Sequence, residues 1–206
     1  MSLKTSLRTN TCSDLTKKDV KEDVTLCGWI SSRRDHGNLI FIDLRDRYGI
    51  TQMVFTSENK QIFSHAGHLS REDVIQISGI VKLRPKSMIN KKIPTGEIEI
   101  HVKELKLINK SKTPPFEIDH EKDISEELRL KYRYLDLRRE KMKSNIILRH
   151  KVVRSIREYM NNNQFIEIET PYLTKSTPEG ARDYLVPSRT HIGKFYALPQ
   201  SPQIFK

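Results

Sequence analysis

Glu97-Ile98-Glu99-Ile100-His101-Val102-Lys103 is the stretch whose reading decides the fold. Ile98, Ile100 and Val102 fall on one side, and Glu97, Glu99, His101 and Lys103 on the other. This two-residue period predicts a half-buried strand that continues to 107. Working back along the chain, 74–83, 49–55 and 38–44 read as further strands, as does 24–31, which alternates. A polar, helix-compatible stretch at 58–70 separates the third strand from the fourth.

Three strands, a helix and then two strands is the order of a five-stranded OB barrel. Such barrels bind oligonucleotides on the face of strands 2 and 3 and on flanking loops. The composition agrees with a nucleic-acid partner without requiring one. Net charge is +11, and the excess is spread: residues 1–110 carry 19 Lys/Arg against 13 Asp/Glu, and residues 111–206 carry 18 against 13. Either half can therefore face a polyanion. No apolar run is long enough to cross a bilayer, and Met1-Ser2-Leu3-Lys4 has no apolar signal core, so a cytoplasmic protein without membrane partners is expected. The two cysteines, Cys12 and Cys27, lack metal-site spacing. Cys27 lies in a strand pattern and reads as a buried thiol.

Lys110-Ser111-Lys112-Thr113-Pro114-Pro115 breaks regular structure and reads as a linker. Ser125 then stands as an N-cap, with Glu126 and Glu127 in the first turn, for a helix expected over 126–139. A second helix is expected over 144–161, with Leu148, Val152, Ile156 and Tyr159 on one face. Residues 165–169 read as a short strand stopped by Thr170-Pro171. The organisation expected is residues 1–109, a linker at 110–125, and a second domain at 126–206. Near the end, Glu179, Gln203 and Lys206 suit a small amino acid with an acidic side chain. The carboxylate can hold an ammonium, the amide either kind of partner, and the lysine a carboxylate.

On the barrel, Phe41 alternates away from Ile40 and Ile42. It is either a platform for an unstacked base or part of the core. Gln52 has a donor and an acceptor for one base edge, or is a solvated strand residue. Arg34, in the Arg33-Arg34-Asp35-His36-Gly37 turn, can grip phosphate or guanine, or decorate a hairpin. Lys82, Arg84, Lys86, Lys91 and Lys92 make an acid-free loop that attracts phosphate, and Asn90 within it can read a base edge. Lys131, Arg133, Arg138 and Arg139 either continue that track or coat a helix.

Several of these stretches together resemble one family. Gly28-Trp29-Ile30, Arg33 to Asp46 and Thr95-Gly96-Glu97-Ile98-Glu99 resemble the anticodon-binding barrel of bacterial-type aspartyl-tRNA synthetases. Leu130 to Arg139 resembles the entry to the class II catalytic domain, and Phe165 to Pro171 the end of class II motif 1. Thr177 to Arg189, with Gln200-Ser201-Pro202-Gln203-Ile204-Phe205-Lys206, is the most specific match. The resemblance implies a β barrel plus α+β protein, an OB-fold followed by the start of an antiparallel-sheet catalytic domain. It implies that Phe41 stacks an anticodon base, that Gln52 reads one, and that Arg34, Arg84 and Asn90 make further anticodon contacts. Glu179, Ser201, Gln203 and Lys206 are then aspartate-binding, with Lys206 on the side-chain carboxylate.

The implied activity is ATP-dependent activation of L-aspartate and its transfer either to tRNA(Asp) alone or to both tRNA(Asp) and tRNA(Asn), by a homodimer using Mg2+. Motifs 2 and 3, which hold ATP, have no counterpart before Lys206. The chain is therefore expected to be a fragment without catalytic residues of its own, which binds tRNA weakly and makes no adenylate. Two other readings are a non-catalytic OB-fold protein and an asparagine or lysine ligase of the same subgroup. The first leaves Glu179, Gln203 and Lys206 unexplained, and Lys206 argues against the second.

Overall fold

The computed structural model describes residues 5–119, 123–176, 182–198, 201 and 205. The chain forms two compact units, Met1–Arg139 and Glu140–Lys206.

In the first unit, β1 (Asp23–Asp35), β2 (Leu39–Arg45), β3 (Ile50–Thr56), β4 (Val74–Leu83) and β5 (Ile98–Asn109) close into a barrel in the order β1-β2-β3-β5-β4. Neighbours are antiparallel except β3 and β5, which run parallel through Met53↔Ile100 and Val54↔His101. The alternation legible in the sequence supplies the core: Leu26, Ile30, Ile40, Ile42, Leu44, Met53, Phe55, Ile75, Ile77, Ile98 and Ile100 all face inward. Helix α1 (Lys60–Gly67) joins β3 to β4. Its N-cap Asn59 accepts from the Ile62 amide through Oδ1 at 3.2 Å, and Ile62, Phe63 and Ala66 pack onto the core.

Strand β1 departs from its expected end at residue 31 and continues to Asp35. The register shifts between Ile30 and Ser32, so Ser31 is a bulge. Before it the even-numbered residues Val24, Leu26 and Ile30 point inward. After it Ser32 pairs with Asp43 and Arg34 with Phe41, outward-facing residues of β2. One extra residue thus reverses which face the strand presents and carries Arg34 to the outside.

The segment after β5 is tied to the barrel by charge. Lys110 Nζ and the Ser111 amide each bond the buried Asp73 carboxylate at 2.8 Å. Burial pushes this carboxyl up, but Lys110 and the Ser111 and Ser70 amides outweigh it and hold it below the usual range. Asp119 accepts from Ser31 Oγ at 2.7 Å and pairs with Arg45. Glu72 takes Arg45 at 2.6 Å and Arg138 at 2.7 Å, and the Arg138 guanidinium lies 4.3 Å from the Trp29 ring centroid.

The helix expected over 126–139 is broken. Helix α2 (Glu126–Lys131) starts at Ser125, whose Oγ accepts from the Leu128 amide at 3.4 Å, and α3 (Arg133–Asp136) follows after Tyr132. Fully buried Asp136 is gripped by Arg129 at 3.1 Å, Arg133 at 2.9 Å and Arg139 at 3.5 Å. A continuous helix would separate Arg129 from Asp136 by about 10 Å of rise, so this contact requires the break. Burial pushes the Asp136 carboxyl up, but the arginines prevail and hold it low.

In the second unit, α4 (Glu140–Asn162) begins four residues before the expected 144. Its apolar residues Leu148, Val152, Ile156 and Tyr159 are all exposed. The strand expected over 165–169 is absent: Phe165, Ile166 and Ile168 are exposed, and no neighbour among the described residues supplies a ladder. A hairpin of β6 (Tyr184–Pro187) and β7 (Phe195–Leu198) was not anticipated. No helix among the described residues is long and apolar enough to cross a membrane. The cysteines are free. Cys12, rather than Cys27, is the fully buried one, and burial pushes its thiol well up.

Candidate nucleic-acid interface

The outer face of β1, β2, β3 and β5 carries two rows of side chains. One row runs Arg34, Phe41, Val54, His101 by direct strand pairing. The next runs Ser32, Asp43, Gln52 by pairing and reaches Glu99 through a hydrogen bond. Phe41 is half-buried and outside the core that Ile40 and Ile42 join. Its ring meets His36 at 80° with centroids 5.6 Å apart, which covers no more than one of its two faces.

Arg34 is on β1, not in the turn, which is formed by His36, Gly37 (φ 75°) and Asn38. Its Nη2 donates to both Asp43 oxygens, at 3.0 and 3.1 Å, and to Gln52 Oε1 at 3.2 Å. Gln52 is buried rather than solvated, and its Nε2 donates to Glu99 Oε2 at 3.1 Å. Of the amide's four hydrogen-bonding positions, one N–H and one lone pair remain. Glu97, by contrast, is exposed and pairs with Lys17 at 2.7 Å.

The basic stretch 82–92 is not all loop, since Lys82 lies on β4, and it divides in two. Lys82, Lys86, Lys91 and Lys92 are exposed. Arg84 is turned inward and only 7% exposed; Nε donates to the Ile98 carbonyl at 2.8 Å, and Nη2 is buried without a partner among the described residues. Burial pulls the Arg84 pKa down, and Glu99 and Asp43 pull it back in part. Asn90 is exposed, and its Oδ1 accepts from the Lys92 amide at 3.0 Å. The loop closes where the Asn90 amide donates to the Gly96 carbonyl at 3.0 Å, and a Cβ at Gly96 would collide with the Asn90 carbonyl oxygen.

Arg133 and Arg139 do not extend a free basic track, because they hold Asp136, and Arg138 holds Glu72. Lys131 lies over the Tyr132 ring at 5.7 Å. Of the residues expected at the amino-acid site, Ser201 is half-buried, while Glu179, Gln203 and Lys206 lie outside the described residues. Sequence reasoning did not identify Asp43 or His101 as parts of the barrel face, nor Glu99 as a partner of Gln52. Their polar types at outward-facing positions were the available signal.

Known proteins agree with this architecture. Residues 24–108 match the OB-fold nucleic acid binding domain, and residues 125–206 match the class II tRNA synthetases for D, K and N. The chain is 59% identical over 200 residues to an aspartate–tRNA(Asp/Asn) ligase of Desulfotalea psychrophila, covering 97% of this chain and 33% of the relative. It therefore spans about a third of the length of the curated relatives it matches. Among solved structures, asparaginyl-tRNA synthetase from Pyrococcus horikoshii complexed with asparaginyl-adenylate superposes with TM-score 0.78 at 27% identity, over 95% of this chain and 43% of that one. A putative aspartyl-tRNA synthetase from Leishmania major superposes with TM-score 0.82 at 21% identity, over 100% of this chain and 41% of that one, and shows the shared fold. The chain thus carries an OB-fold segment followed by a class II tRNA synthetase segment, and along 97% of its length it is similar to aspartate–tRNA(Asp/Asn) ligases.

Proposed function

We propose that this chain supplies the anticodon-recognising and aspartate-recognising parts of an aspartate–tRNA ligase. In that reaction the α-carboxylate of L-aspartate attacks the α-phosphorus of ATP, releasing pyrophosphate and forming aspartyl-adenylate. A ribose hydroxyl of the tRNA's terminal adenosine then takes the aspartyl group and releases AMP. The observation that carries the reading is the outer barrel face. An aromatic ring with no more than one face covered by His36 stands there beside an amide with one free N–H and one free lone pair, in a chain 59% identical to such a ligase.

In this reading Phe41 stacks on an anticodon base and Gln52 reads one. Arg34, Arg84 and Asn90 make further anticodon contacts, with Arg84 turning its unpartnered Nη2 to the RNA. Residues 1–109 form the anticodon-binding domain, 110–125 the linker and 126–206 the start of the catalytic domain. Glu179, Ser201, Gln203 and Lys206 line the aspartate site. The tRNA partners proposed are tRNA(Asp) and tRNA(Asn), as the names of the curated relatives state for those proteins. The uncovered apolar stripe of α4 supports a homodimer, and the protein is placed in the cytoplasm. ATP and Mg2+ enter as co-substrate and counter-ion. Among the described residues no group of three or more His, Cys, Asp or Glu is placed to hold a cation, so no chemical step is assigned to one.

The test is aminoacylation by the protein that carries this chain. Aspartate-dependent exchange of pyrophosphate into ATP is expected, with charging of both tRNA(Asp) and tRNA(Asn). Lys206→Met should abolish the preference for aspartate over asparagine. Absence of aspartate-dependent exchange refutes the ligase reading; charging of tRNA(Asp) alone refutes the dual-tRNA part.

A further inference from the structure

A glutamine amide has two ends of similar shape and opposite hydrogen-bonding sense, so reading a base requires that it be kept from flipping. Gln52 is held at both ends. Its Oε1 lies 3.2 Å from Arg34 Nη2, which can only donate, and its Nε2 lies 3.1 Å from Glu99 Oε2, which accepts. A flip would set carbonyl against carboxylate and amide hydrogens against guanidinium. The Arg34 end is itself fixed, because Arg34 also bonds both oxygens of Asp43. The other end depends on Glu99.

Among the described residues the Glu99 side chain has two hydrogen-bond partners: Gln52 on Oε2 and His101 Nε2 on Oε1 at 3.1 Å. Against a carboxylate that can only accept, His101 Nε2 carries the hydrogen. Lys82 is the cross-strand neighbour of Glu99 on β4 and is exposed, which makes it the alternative cation for a carboxylate released by His101. The terminal torsion of a glutamate is soft, so an unheld carboxylate turns readily.

We propose that His101 is a positioning residue for anticodon recognition. By holding Glu99 it fixes which end of the Gln52 amide donates and which accepts, and so fixes which base fits there. This rests on the reading that Gln52 meets an anticodon base, and it deepens that reading. His101 itself does not touch the base. Losing its hydrogen bond lets Glu99 turn toward Lys82 and releases the amide, so recognition blurs at one base while the rest of the interface stands.

The test uses the whole 206-residue chain and a hairpin RNA with the anticodon loop of tRNA(Asp), together with loops substituted at one anticodon position each. Affinities are measured for wild type, Gln52→Ala, His101→Leu and His101→Gln, with thermal melts to establish folding. Gln52→Ala identifies the loop position that the amide reads. His101→Leu is expected to lose roughly tenfold discrimination at that same position and little elsewhere. His101→Gln, which places an amide nitrogen near the site of Nε2, is expected to restore it. His101→Leu retaining discrimination where Gln52→Ala loses it overturns the proposal, as does an equal loss of affinity for every loop. If the wild-type chain shows no preference among the loops, the anticodon reading of the barrel fails, and this inference falls with it.

Discussion

Replacing Phe41 by alanine separates binding from folding. The ring is half-buried and outside the core, and His36 covers at most one face. On the proposed stacking, removing it forfeits one base–aromatic stack, about 1–3 kcal/mol. At about 1.4 kcal/mol per decade this is a roughly 5- to 150-fold loss of RNA affinity. The ring's partial exposure and its place outside the core keep the stability cost below the ~3 kcal/mol of a fully buried phenylalanine. Ile42, its neighbour on β2, is the control. It is 0% exposed and in the core, so Ile42→Ala should cost about 2–5 kcal/mol of stability, with affinity unchanged wherever the protein remains folded. The assays are fluorescence anisotropy of a labelled anticodon-loop hairpin at one fixed salt concentration, and urea unfolding of both variants. The reasoning is refuted if folded Phe41→Ala binds as tightly as wild type, or if it loses as much stability as Ile42→Ala.

Three further outcomes are expected. Lys82, Lys86, Lys91 and Lys92 are exposed on the loop side of the barrel, and each phosphate contact contributes a slope of about −0.7 to log K against log salt for a single strand; changing all four to glutamine should flatten the slope by about 3, and an unchanged slope would remove this loop from the interface. Asp136→Asn should destabilise the fold by about 2–3 kcal/mol near neutral pH, as charge-assisted bonds to buried Asp136 are weakened. Because the folded carboxyl is held low, its contribution is present above about pH 4, the unfolded value, and is lost as pH falls through the folded value; the gap between wild type and variant in urea should close in acid, and a constant gap would show that the charge is irrelevant. Gly96→Ala should cost about 1–3 kcal/mol, since the new methyl meets the Asn90 carbonyl, and should weaken RNA binding by displacing Asn90 and its lysines; normal stability and affinity would mean that the loop gives way freely.

The barrel was legible because one-sided burial writes a two-residue period into the sequence, clear in β1, β2 and β4 and at the start of β5, while β3 is buried at every position from 51 to 55. The period fails at Ser31, where the bulge changes which face the strand presents, so the end of β1 and the position of Arg34 were missed. The break at Tyr132 was hidden because it serves a contact between Arg129 and Asp136, which no local propensity encodes. The β6–β7 hairpin had a signal that went unused: Tyr184-Leu185-Val186 and Phe195-Tyr196-Ala197-Leu198 flank a turn with Gly193 at φ 76°. The outward positions of Phe41 and Gln52 could be read from alternation. The clamp on Gln52 could not, because it depends on β3 lying beside β5, and strand neighbours far apart in sequence leave no local trace.

The parallel junction between β3 and β5 is the shortest ladder in the ring, formed through Met53↔Ile100 and Val54↔His101. With the fewest paired positions, it is the seam expected to open first on local unfolding. Gln52 stands on one lip, and Glu99 and His101 on the other. An RNA lying across both lips acts as a clasp, so occupancy on the outside raises the melting temperature of the whole domain and slows amide exchange at residues 53, 54, 100 and 101 more than in the β1–β4 wall. Recognition and mechanical closure are then the same event, felt at one gap in the cylinder.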